Sequence, residues 1–183
     1  PTISRRQRQM CIRDRKEINN DLKSKQRMFR LLQGDVGSGK TIIALIAALN
    51  VIKSGFQVAL MVPTEILAKQ HYNFASDLFG KDISIELLTG KTEYKQKKST
   101  LENIKQNKIK LIIGTHALFQ KKVDYKNLGL IIIDEQHKFG VRQRKELSDK
   151  GGNNCDVLVM SATPIPRTMM MLSLIHISEP TRR

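Results

Sequence analysis

Six short apolar runs punctuate the chain: FRLLQ (29–33), QVALMV (57–62), ISIELL (83–88), IKLIIG (109–114), LGLIIID (128–134) and DVLVM (156–160). A strand with one wet face alternates apolar and polar residues, whereas these runs are nearly continuous in Val, Ile and Leu. That pattern predicts strands covered on both faces. Between them lie segments with helical patterning, so the chain predicts an α/β domain, a doubly wound and mainly parallel sheet with crossover helices. IIALIAALNVI (42–52) reads as a buried helix, and KTEYKQKKSTLENIKQNK (91–108) as a surface helix whose lysines suit a solvated face. There is no internal repeat and no Pro-rich linker. No apolar run reaches the roughly 20 residues that cross a bilayer, so a membrane partner is not expected.

The 183 residues suffice for one domain with a sizeable core and are too few for two full ones. Neither end continues the apolar pattern. Met10 to Asp14 can be encoded as ATG TGT ATA AGA GAC, and the reverse complement, read one base on, encodes Ser173, Leu174, Ile175, His176 and the start of Ile177. One nucleotide string on opposite strands would explain both ends, and the longer stretches resemble transposon-end adapters. The expected domain is therefore 16–171, with 1–15 and 172–183 as foreign tails. Of the net charge of +15, the tails carry +4 and +1, which leaves +10 on 16–171 and keeps a polyanionic partner in view. Cys11 and Cys155 offer neither a disulfide framework nor a metal cluster, and no secretory signal is evident, so a reducing cytoplasm is expected.

The first apolar run leads into GDVGSGKT, a G-x-x-x-x-G-K-T loop formed by Gly34, Asp35, Val36, Gly37, Ser38, Gly39, Lys40 and Thr41. Binding a phosphate chain requires backbone N–H groups turned inward, and glycine lets the chain curl that tightly. Lys40 would reach the β and γ phosphates of a nucleotide, Thr41 would ligate Mg²⁺, and the helix N-terminus behind them adds its dipole. The competing view, a glycine-rich turn with a chance lysine, does not account for the strand before and the helix after. LIIIDEQH (130–137) supplies the carboxylates: Asp134 to hold Mg²⁺, Glu135 to polarise water, both at the end of a buried strand.

GDVGSGKT, PTEILAKQH, GTHAL, DEQH and SATPIPRT, in that order, resemble the first motifs of helicase superfamily two. The longer strings RLLQGDVGSGKT, LMVPTEILAKQH, LGLIIIDEQHKFGV and VLVMSATPIPRT resemble the RecG family of bacterial ATP-dependent translocases on branched DNA, across essentially 16–171. The transcription-repair coupling factors share PIPRT but usually carry Glu where Gln136 stands. The resemblance implies the first RecA-like P-loop NTPase lobe of a cytoplasmic motor that acts on forked duplex DNA in repair and recombination. It implies that Gln136 and His137 lie between the ATP and DNA sides, and that Ser161, Ala162 and Thr163 relay nucleotide state to the strand. It also implies a second RecA-like lobe with an arginine finger and an N-terminal wedge domain, neither of which falls within this sequence. The family's adenine-reading glutamine would fall where the N-terminal tail begins.

DNA contacts in such lobes fall after strands, here at Pro63 and Thr64, at Thr89, Gly90 and Lys91, and at Thr115 and His116. Small hydroxyls, backbone N–H groups and a lysine suit phosphate oxygens. Each position also suits an ordinary helix cap, Thr64 before EILAKQ above all. Lys138 stands where the family generally has Arg, which weakens a bidentate contact. His137 as a metal ligand lacks a second ligand nearby in sequence. A kinase would want a substrate lid and no Ser161–Thr163 element, and a nucleotide- or DNA-binding module without turnover is the remaining alternative.

Overall fold

The computed structural model describes residues 16–18, 20–22, 28–35, 37–120, 122–135 and 155–162. In chain order these form β1 (Phe29–Gln33), α1 (Lys40–Lys53), β2 (Gln57–Met61), α2 (Glu65–Phe79), β3 (Ile85–Leu88), α3 (Tyr94–Lys105), β4 (Leu111–Gly114), a 3-10 turn (His116–Phe119), β5 (Leu128–Asp134) and β6 (Asp156–Ser161). The six strands make one sheet in the order β1-β6-β5-β2-β4-β3. Every pairing in it is parallel.

All six apolar runs become strands. The third and fourth lose their first two residues, because Lys110 and Leu111 both donate to the Ser84 carbonyl, a pinch rather than a ladder step. The doubly wound arrangement explains why the runs are continuous. Leu130, Ile132, Leu158 and Met160 face one core with Ile43, Leu45 and Ala48 of α1 and Ala68 and Ala75 of α2. Ile131, Ile133, Val157 and Val159 face the other, with Ile104 of α3, Leu118 and Val123. Because successive side chains serve opposite cores, the central strands β2, β4, β5 and β6 are buried along most of their length, while the edge strands β1 and β3 keep part-exposed positions.

α2 begins at Thr64, whose Oγ1 accepts from the Leu67 N–H at 3.3 Å, and Glu65 in the first turn complements the helix dipole. α3 buries only Thr100 and Ile104, as a surface helix should. Ahead of β1, Ile18 is in the core, and Arg30 forks onto Glu17 at 2.7 Å and Asp21 at 2.6 Å. These half-exposed pairs fix geometry more than they add stability.

Gln57 is the buried polar residue within the apolar runs. Fully buried, its amide donates to the Ile104 and Ile109 carbonyls, each at 2.9 Å, and its carbonyl accepts from the Lys126 and Asn127 N–H groups at 3.0 and 3.2 Å. It ties the end of α3 and the approaches to β4 and β5 together. Gly114 is required for close approach: a Cβ there would overlap the Leu88 carbonyl oxygen of the neighbouring strand and lie 2.9 Å from its carbon. Gly114→Ala should therefore push β3 from β4 and cost about 3 kcal/mol, or about 6 to 12 °C in thermal midpoint. A melting curve unchanged from the parent chain would show that the strands yield there without cost.

Candidate functional site

A parallel sheet brings every strand's carboxyl end to the same edge. At this edge the loop after β1, the tip of β5 and the tip of β6 are neighbours. The Gly34 N–H donates to the Ser161 carbonyl at 3.3 Å, and the Glu135 N–H to the Met160 carbonyl at 3.0 Å, so the glycine loop and the acidic pair flank β6 from either side. Two strand spacings, roughly 10 Å, separate the chains that carry Gly34 and Asp134.

The loop is shaped by Gly37 and Gly39, at φ +79° and +86°, where a side chain would be strained. Gly39 is also the N-cap of α1, with no side-chain cap and no acidic residue in the first turn. The opening N–H groups of α1 thus lack a carboxylate or hydroxyl cap, which leaves a setting that favours an anion. Lys40, the first helical residue, turns its ammonium back over the loop. Nζ donates to the Gly34 carbonyl at 2.6 Å, the Asp35 carbonyl at 2.7 Å and Ser38 Oγ at 3.4 Å. A phosphate entering the loop would exchange with those neutral carbonyls for a charge-assisted contact.

Asp134 ends β5, largely shielded from water, and Oδ2 meets His71 Nε2 at 3.1 Å. The tautomer assigned to His71 on this geometry has the proton on Nε2, donating in a hydrogen bond that Oδ2 accepts. Glu135 follows at φ +55°, a left-handed conformation uncommon outside glycine that turns the chain sharply off the strand. Among the described residues no group of three or more His, Cys, Asp or Glu could hold a metal by itself. The oxygen donors expected to serve a cation at this edge are the Thr41 hydroxyl and the Asp134 carboxylate. That oxygen set fits Mg²⁺, which characteristically takes one or two protein ligands and completes its shell with phosphate oxygens and water.

Ser161, fully buried at the tip of β6, and Ala162 beside it stand next to the loop. Val36, Gln136, His137, Lys138 and Thr163 lie outside the described residues.

The three candidate DNA loops follow β2, β4 and β3, and so share this edge. Thr64 is exposed, and its cap bond uses the hydroxyl oxygen as acceptor, which leaves the O–H proton for another partner. Pro63 is half-buried, while Gly90 and His116 are exposed. Lys91 is 87% exposed and pairs with Glu65 at 3.4 Å. Thr89 and Thr115 are buried, at 7% and 4% exposure, and the Thr89 N–H donates to Thr92 Oγ1 at 3.0 Å, so both are less open to a phosphate than Thr64, Gly90, Lys91 and His116. Beside Lys91 a hollow of about 330 Å³ is lined by Tyr72, Glu86, Thr89 and Gln96. Burial raises the Glu86 carboxyl above the usual range, and a hydrogen bond from the Leu87 backbone opposes it.

His71 is the residue sequence reasoning passed over. It sits in the PTEILAKQH string, but only strand order brings it to a carboxylate 63 positions away.

This loop, acidic strand end and sheet define the class: the chain belongs to the DEAD/DEAH box helicase family, which matches residues 13–172. Among curated proteins the likeness is to RecG. The chain is 57% identical over 159 residues to the ATP-dependent DNA helicase RecG of Aquifex aeolicus, covering 85% of this chain and 20% of that protein. It is 55% identical over 155 residues to RecG of Bacillus subtilis, covering 84% and 23%. A solved structure of RecG bound to a three-way DNA junction superposes with a TM-score of 0.78 at 42% identity, covering 100% of this chain and 25% of that one. The UvsW helicase of bacteriophage T4, at TM-score 0.66 and 15% identity over 89% of this chain and 55% of that one, shares the fold. The chain thus spans about a fifth to a quarter of the length of its RecG relatives.

Proposed function

We propose that this chain is the ATP-binding motor lobe of a RecG-like DNA helicase, a cytoplasmic bacterial translocase that remodels branched DNA in repair and recombination. One observation carries the proposal. In a chain of this helicase family, Lys40 and Thr41 after β1 and Asp134 at the end of β5 meet at one edge of a parallel sheet. Lys40 holds the β and γ phosphates, the loop N–H groups cradle the chain of phosphates, and Thr41 and Asp134 hold Mg²⁺. The ion, when bound, neutralises charge on the transferring phosphoryl group. Glu135 orients and polarises the attacking water. Gln136, His137, Ser161, Ala162 and Thr163 couple that event to the strand.

DNA is held by its backbone at three loops: Pro63 and Thr64, Thr89 to Lys91, Thr115 and His116. Phosphates neutralised by the basic residues of 16–171 release counterions, so log affinity should fall linearly with log salt, independent of base sequence. Fluorescence anisotropy with a forked duplex at several salt concentrations measures this. The tails carry +5 of the +15, so a chain reduced to 16–171 should keep the slope. Loss of all binding on removing the tails would assign it to them, and no DNA face would remain on this lobe.

A further inference from the structure

We propose that His71 is the positioning residue for Asp134, holding its carboxylate in the orientation that accepts a divalent cation together with the nucleotide phosphates. This rests on the nucleotide-site reading above and extends it to a residue outside the loop and the acidic pair.

The placement is built into α2. Ala68 and Ala75, three positions before His71 and four after it, are both 0% exposed, so His71 rides the buried stripe of that helix. Alanines on either side let α2 lie close to the sheet, and the imidazole reaches the tip of β5. His71 and Asp134 are 11% and 15% exposed, so water competes little for their 3.1 Å bond. A carboxylate on a strand tip can turn about its last torsion, and its two oxygens offer about four lone-pair positions. The Nε2–H group of His71 takes one of them at Oδ2, which fixes the plane of the carboxylate and commits Oδ1 to the cation.

A plain structural contact would also satisfy a half-buried histidine. What separates the two is the partner: the Asp134 carboxylate stands at the edge where the glycine loop opens, and β6 alone lies between them. Second-layer hydrogen bonds to metal-binding side chains commonly change metal affinity by about 10- to 100-fold. A packing contact would instead alter stability and leave metal uptake alone.

The test uses the full 183-residue chain and Mn²⁺ as probe, followed by electron paramagnetic resonance in saturating ADP. His71→Leu should weaken Mn²⁺ uptake by about 10-fold or more. His71→Gln, whose amide nitrogen falls near the position of Nε2, should restore most of it. Affinity for ADP in EDTA should be equal in all three chains. His71→Asn, whose donor is withdrawn from Oδ2, takes the place of His71→Leu if the latter melts early. Mn²⁺ uptake unchanged in His71→Leu or His71→Asn would overturn the assignment, as would a matching loss of metal-free ADP binding. A parent chain that binds no ADP at all would refute the nucleotide site itself and this inference with it.

Discussion

Hydrolysis of ATP by this chain alone should run near background, and adding the remainder of a RecG-like protein should raise it by about 10³ to 10⁵. In the proposed motor the nucleotide lies in a cleft between two lobes, and the second contributes an arginine that stabilises charge on the transferring phosphoryl group. In related nucleotide hydrolases such an arginine is worth about that factor, or about 4 to 7 kcal/mol of barrier. Among the described residues Arg30 is committed to Glu17 and Asp21, so it does not substitute. Phosphate release assays with the second lobe supplied in trans, with and without DNA, measure the gain. Glu135→Gln should remove the gain while ADP still binds. Brisk DNA-stimulated hydrolysis by the chain on its own would mean that the charge-stabilising group is local.

Lys40→Ala should weaken nucleotide binding by about 100-fold or more. A charge-assisted contact to phosphate is worth about 1.5 to 3 kcal/mol, and Lys40 faces two phosphates. The same substitution should leave the fold intact, because among the described residues Lys40 Nζ bonds to loop atoms near the protein surface. Thermal shift separates the two effects. ADP at 100 times its dissociation constant should add about 2.7 kcal/mol and raise the parent midpoint by about 5 to 10 °C. At the same concentration Lys40→Ala should show almost no shift from the same starting midpoint. An undiminished shift would place the nucleotide elsewhere.

The strands were legible because burial on both faces leaves a signal that a window of six residues contains. The loop was legible because Gly37, Gly39, Lys40 and Thr41 act through local geometry, and Asp134 because four apolar residues precede it in β5. What was not legible depends on strand order. His71 meets Asp134 only because α2 packs over a sheet in which β5 pairs with β2, and nothing local marks that histidine from any other on a helix. Gln57 reads as the polar edge of an apolar run, although its four bonds come from segments 47 to 70 positions away. The hold of Lys40 on the Gly34 and Asp35 carbonyls was likewise unforeseen, since a motif names the phosphates its lysine meets and not the lysine's protein partners. Of the two readings of Thr64 the helix cap is the one the fold displays, its oxygen accepting from the Leu67 N–H.

Isothermal titration of the chain with ADP in the presence and absence of Mg²⁺ tests the central claim most directly. The expected result is one saturable site per chain, tighter with Mg²⁺ than in EDTA, and lost in Lys40→Ala. Absence of a saturable site, or a site indifferent to both Mg²⁺ and Lys40, would contradict the assignment of this sheet edge to a nucleotide.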